Sequence, residues 1–172
     1  MTKHHPLDAP SGIDPVDYIE QTRTDYEHLG FEAYRWASNP TPVPLAELSK
    51  PLSECRLALI ASGGVYRRGQ VAFTSRDDTS YRRIPIDIDT DELRVTHFAY
   101  DLTDARRDSN VVLPLRPLKR LVAHGVLGSL ATYALTFMGG IYSQRRLRDE
   151  LLPNLVDEVR DLEADIALLV PV

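Results

Sequence analysis

RLALIASGGVYRRG, residues 56–69, decides how the chain folds. Leu57 to Ala61 is an apolar run with no polar face, too short for a globular helix and closed by Gly63 and Gly64. That is how a strand buried on both faces of a parallel sheet reads. Three later runs share the texture: LRVTHFAYD (93–101), LGSLATYALTFMGG (127–140) and DIALLVPV (165–172). Helical patterns separate them. PLRPLKRLVAHG (114–125) has Pro117 near a first turn, Leu118, Leu121 and Val122 on one face, and Gly125 as its stop. From Gln144 to Glu163, Leu147, Leu151, Leu155, Val159 and Leu162 recur at helical spacing, with Ser143 as N-cap and Pro153 kinking or restarting the helix. Strands alternating with crossover helices predict an α/β domain: an open, mostly parallel, Rossmann-like sheet, incomplete at the C-terminus.

Upstream the texture differs. Seven of the 12 prolines lie in the first 51 residues, so residues 1–51 are read as a helix and a proline-rich connector, and residues 52–172 as the α/β domain. In IDPVDYIEQTRTDYEHLG (13–30), Asp14 is the expected N-cap, Pro15 the first helical residue and Gly30 the stop. NPTPVPLAELSKP (39–51) is expected to run extended, since each proline fixes its own φ and restricts its predecessor.

At 172 residues, 43% hydrophobic and 26% charged, the composition is that of a soluble globular protein. No run approaches the roughly 18 apolar residues of a membrane span. MTKHHPLDAPSG (1–12) lacks the features of a secretory signal, so the cytoplasm is the expected location. The formal charge of −5 makes a poor footprint for nucleic acid. Cys55, the single cysteine, reads as a small buried hydrophobe, and no disulfide framework or thiolate metal cluster is possible within the chain. His4 and His5 lack further ligands and read as titrating side chains rather than metal ligands.

Several groups are candidates for chemistry. Ser62, Gly63 and Gly64 follow a strand, where backbone N–H groups can face a carboxylate; a plain tight turn is the alternative. Arg67 and its neighbour Arg68 either fork onto a substrate carboxylate or are solvated loop charges. If THFAYD (96–101) continues a strand, His97 and Asp101 share a face, with Tyr100 beside them. His97 then shuttles a proton and Asp101 orients it or binds a substrate nitrogen. Alternatively, Asp101 caps the next turn and His97 is a hydrogen-bonded core histidine. Gly139 and Gly140 either admit a substrate closely or turn the chain into its helix. Asp87, Asp89 and Asp91 alternate without the glycine-turned loop of a cation site and read as a polar face and helix start.

LALIASGGVYRRG, YRRIPIDIDTDELRVTHFAYD, DSNVVLPLRPLKRLVAHGVLGSLA, TFMGG and DIALLVPV resemble, in order, the selenoprotein B subunits of the glycine, sarcosine, betaine and D-proline reductases, with most likeness to the D-proline type. The resemblance runs from about Pro40 to Val172. It implies reductive cleavage of a C–N bond at an amino acid α-carbon. A pyruvoyl group on a partner subunit activates the amine, a selenolate or thiolate displaces it, and a dithiol or thioredoxin-like reductant resets the nucleophile. In that family a strand like DIALLVPV is followed at once by selenocysteine or cysteine, then by a second cysteine with which it pairs, then by a helix. The resemblance therefore places the nucleophile immediately after Val172 and makes this chain a product truncated at a UGA codon, with a frameshift or a chosen boundary as alternatives. The 172 residues carry no cofactor of their own and are expected to be inactive alone. A homo-oligomer is compatible with this reading. The competing functions are a non-catalytic binding or scaffold subunit and a thiol-dependent reductase of another substrate.

Overall fold

The computed structural model describes residues 17–32, 40–43 and 46–172; His4, His5, Asp14 and Pro15 lie outside them. The chain divides into two compact units, Met1–Val43 and Pro44–Val172. In the first, helix α1 (Tyr18–His28) is capped by Asp17, whose carboxylate accepts from the Glu20 N–H at 3.0 Å. Its C-terminus closes as the sequence predicts, with Gly30 at φ +82° and Phe31 N–H reaching back to the Tyr26 carbonyl.

The second unit is built on β1 (Arg56–Ala61). Strand β7 (Ile166–Val170) pairs with it in parallel from Leu57 to Ala61. On the opposite side β5 (Ser129–Leu130) pairs with its first two residues and β6 (Tyr133–Phe137) with its last two, again in parallel. β5 and β6 thus act as one strand interrupted at Ala131 and Thr132. An antiparallel strand, β3 (Tyr81–Pro85), completes the far edge against β6. The result is an open, mostly parallel sheet of a mixed α/β domain.

Side chains alternate across this sheet, and each face has its own core. Leu57, Leu59 and Ala61 pack with Leu113, Leu115, Leu118 and Leu127 on one side. Leu115 and Leu118 come from helix α3 (Leu115–Ala123), which follows the short α2 (Thr103–Arg107) in the β1-to-β5 crossover. Ala58 packs on the other side with Leu135, Leu151, Leu155 and Leu162. That face is covered by a helical span made of α4 (Gln144–Arg146), a π turn (Leu147–Leu151) and α5 (Leu152–Asp161). Pro153 explains the interruption, because it has no N–H to donate to the preceding turn. The Asn154 amide takes up the Glu150 carbonyl at 2.6 Å.

One expectation is corrected. LRVTHFAYD is not a strand of the sheet: only β4 (Leu93–Val95) is extended, and it pairs antiparallel with β2 (Val65–Arg67) in a separate ribbon. Buried Leu93 and Val95 flank exposed Arg94, the one-sided alternation of a ribbon rather than the continuous apolar run of a central strand. The sheet's fourth position is instead filled by YRRIP, whose arginines hide its strand character. Arg82 Nε donates to the Val71 carbonyl at 2.9 Å, and Glu158 of α5 accounts for Arg83. Its buried carboxylate accepts from Arg83 Nε at 2.8 Å, Tyr81 Oη at 2.6 Å and Tyr133 Oη at 2.8 Å, clamping α5 to β3 and β6.

Candidate functional site

Ligands in an open parallel sheet collect beyond the carboxyl ends of the strands. At that end β1 leads into Ser62, Gly63 and Gly64, β6 into Met138, Gly139 and Gly140, and β7 into Pro171 and Val172. The three segments are tied together. Ser62 N–H donates to the Val170 carbonyl at 3.1 Å, its hydroxyl accepts from Val172 N–H at 2.9 Å, and its carbonyl accepts from Gly139 N–H at 2.8 Å. Gly64 N–H donates to the Phe137 carbonyl at 2.9 Å, so this amide is committed within the fold rather than turned toward an anion.

The glycines are required by close approach. Gly64 has φ +70°, and a Cβ there would collide with the Thr96 carbonyl. A Cβ on Gly139 would stand 2.9 Å from that of Ser62, and one on Gly140 would enter the Phe98 ring. Chain 96–100 therefore lies directly against the strand ends. Tyr100 Oη donates to the Gly63 carbonyl at 2.8 Å, and burial pushes this phenol up.

His97 is 8% exposed. Its ring stacks on Phe98 with centroids 5.7 Å apart and contacts Tyr100 at 4.7 Å. Nδ1 accepts from the Ala99 N–H at 3.0 Å, which puts the proton of the neutral ring on Nε2. Nε2 is buried and has no hydrogen-bond partner among the described residues. Desolvation lowers the imidazole pKa, so the ring is neutral at pH 7.

Asp101 is placed differently from the strand-based expectation. The chain is not extended there, and no strand face carries His97 and Asp101 together. The exposed Asp101 carboxylate accepts from the Thr103 hydroxyl at 2.7 Å and its N–H at 2.9 Å, capping α2. Those bonds hold it below the usual carboxylate range. Arg67 is exposed on β2, its N–H bonded to Gln70 Oε1 at 2.8 Å. The structure thus gathers Ser62, Gly63, Gly64, His97, Tyr100, Gly139 and Gly140 through direct contacts, while Asp101 and Arg67 make their recorded bonds elsewhere.

Sequence reasoning missed two features. Phe98, whose ring lies against Gly140, pairs with Tyr142 with centroids 6.2 Å apart; the signal was an aromatic residue within two positions of a candidate. An apolar cavity of about 530 Å3 also opens beside Ser62, lined by Ile60, Phe137, Leu152, Val156, Leu169 and Pro171. Among the described residues, no group of three or more His, Cys, Asp or Glu side chains is placed to hold a metal. Cys55 is fully buried, its Sγ 3.4 Å from the Pro51 carbonyl.

Residues 30–165 match the sequence model of the glycine/sarcosine/betaine reductase selenoprotein B family. The chain belongs to this family. It is 30% identical over 130 residues to the D-proline reductase subunit gamma of Acetoanaerobium sticklandii, covering 75% of this chain and 54% of that one. It is 26% identical over 125 residues to the glycine reductase complex component B subunit gamma of Symbiobacterium thermophilum, covering 70% of this chain and 29% of the relative. The corresponding subunit of Carboxydothermus hydrogenoformans is 29% identical over 102 residues, 56% of this chain and 23% of that one. The selenoprotein B match therefore spans about half the length of the first relative and less than a third of the other two. No solved structure matches the chain. Among the described residues, no helix is long and apolar enough to cross a membrane.

Proposed function

We propose that this selenoprotein B family chain forms the substrate side of an amino acid reductase of the D-proline or glycine type. The observation that supports it best is that the segments following the parallel strands β1 and β6 pack against chain 96–100, which carries a buried histidine whose Nε2 has no partner among the described residues. The amino acid lies over Ser62, Gly63, Gly139 and Gly140, and neutral His97 orients the leaving nitrogen through an Nε2–H hydrogen bond, while the proton that nitrogen takes up as the C–N bond breaks comes from water. Tyr100 positions the His97 ring by anchoring chain 96–100 to Gly63. The attacking selenocysteine or cysteine follows Val172 in the full-length protein. There β7 delivers it beside Ser62, and a helix N-terminus stabilises its ionised form. A pyruvoyl group on a partner subunit supplies the carbonyl that activates the amine, and a dithiol supplies the electrons.

The first experiment is to sequence the coding DNA past codon 172 and express the longest frame found, reading any UGA as selenocysteine, with its partner subunit. Dithiothreitol-dependent consumption of D-proline or glycine, lost in His97→Ala, is the expected result. A frame that closes without a cysteine or selenocysteine codon would remove the catalytic reading and leave a binding or scaffold subunit.

A further inference from the structure

A second cavity, of about 600 Å3, lies between the β2–β4 ribbon and the segment running from α2 into α3. Its wall holds four arginines, Arg94, Arg106, Arg107 and Arg116, against two aspartates, Asp91 and Asp108. This is a local excess of positive charge in a chain whose formal charge is −5. Asp108 is paired with Arg116 at 3.4 Å, and its Oδ1 also accepts from the Asn110 N–H at 3.0 Å and side-chain amide at 2.7 Å. Arg107 is paired with Asp104 at 3.3 Å. Among the described residues, neither Arg94 nor Arg106 has a carboxylate within ion-pair distance; Arg94 Nη1 donates to two backbone carbonyls.

The wall also contains Ser109, 8% exposed, whose buried hydroxyl has no hydrogen-bond partner among the described residues. A buried hydroxyl without a partner is destabilising and rare. A single χ1 step between staggered rotamers can turn it toward a bound acceptor. Guanidinium forks joined by one hydroxyl donor are the donor set that recognises the planar carboxylate or the tetrahedral phosphate.

We propose that this cavity binds an oxyanion, the phosphate or carboxylate of a small metabolite, with Arg94, Arg106 and Arg116 as charge partners and Ser109 as hydroxyl donor. The proposal does not depend on the reductase reading. Its test uses the 15N-labelled 172-residue chain, titrated separately with inorganic phosphate and acetate against sodium chloride of equal ionic strength. Saturable shifts of the Ser109 and Arg106 amides are expected. Tighter binding of phosphate identifies a phosphorylated ligand, and tighter binding of acetate a carboxylic acid. Arg106→Gln and Ser109→Ala should each weaken binding about tenfold, the size of one lost charge-assisted hydrogen bond, while Arg120→Gln on α3 leaves it unchanged. Shifts that match chloride and do not saturate, or affinity unaltered in Arg106→Gln, overturn the proposal; the exposed position of Arg106 leaves folding of that variant intact.

Discussion

The hydroxyl of Ser62 accepts the backbone N–H of Val172 at 2.9 Å, joining the segments that follow β1 and β7 at the mouth of the candidate site. This bond fixes Val172 beside the end of β1. Ser62→Ala removes the acceptor and is expected to cost about 1 kcal/mol, since the exposed Val172 N–H can turn to water. Hydrogen exchange at the Val172 amide should accelerate in Ser62→Ala while the β1 amides stay protected. Unchanged protection at Val172 would refute the role given to Ser62.

Glu158 links acid stability to the α5 clamp. Arg83 is the main cause holding its carboxyl down to about 2 from an ordinary 4.5, with the Tyr81 and Tyr133 hydroxyls contributing against the cost of burial. A carboxylate with a depressed folded pKa binds fewer protons in the folded state than in the unfolded one. Its stabilisation is therefore complete above about pH 4.5 and is lost as the pH falls toward 2. Glu158→Gln should cost about 1–3 kcal/mol at neutral pH and flatten the loss of stability across that window. Parallel urea-unfolding curves for both proteins between pH 5 and 2.5 would count against the clamp.

The layered α/β plan was legible because β1 is an uninterrupted apolar run, a pattern that a parallel sheet produces at its interior; β7 has the same texture although it pairs with β1 alone and leaves Leu169 exposed. The 3.6-residue spacing of Leu151, Leu155 and Leu162 likewise revealed the helical span packed on one face. What misled the reading was partnership over distance. Tyr81 to Pro85 looks polar until Glu158, 75 residues beyond Arg83, supplies its charge partner. The stretch 96–101 looks like strand until Gly64, at φ +70°, brings the Thr96 carbonyl against its own Cα and sends the chain over the strand ends. The glycines and His97 were visible as candidates because backbone approach and imidazole chemistry are local properties. The role of Asp101 turned on Thr103, two residues on, and local spacing alone permitted both readings.

Gly64 and Gly69 form an internal comparison. Both have positive φ, +70° and +89°, but only at Gly64 would a Cβ meet backbone; nothing lies within 4 Å of one at Gly69. Gly69→Ala therefore carries the conformational cost alone, about 1 kcal/mol. Gly64→Ala adds a collision that must separate Thr96 from the β1 end, and a loss above about 3 kcal/mol is expected. Thermal unfolding of the two variants decides it. Equal midpoints would mean that chain 96–100 is not held against Gly64 as described.

His97 provides the last prediction, one that separates its charge from its packing. Its ring nitrogen Nδ1 is already an acceptor for Ala99 N–H, so charging the ring would turn that acceptor into a second donor facing a donor. Burial alone also disfavours the cation and lowers the pKa from its ordinary 6.5. Between the folded and unfolded values the unfolded chain binds the extra proton, so stability rises with pH through this window. It is fully present above about pH 6.5 and declines as the pH falls through the lower folded value. In an NMR titration the His97 Cε1–H resonance should move at a pH below the ordinary 6.5, and the loss of stability as the pH falls below 6.5 should shrink in His97→Gln. If the His97 resonance titrates at or above the ordinary 6.5, Nδ1 is not held as an acceptor, and a neutral Nε2–H donor at the strand ends must be abandoned.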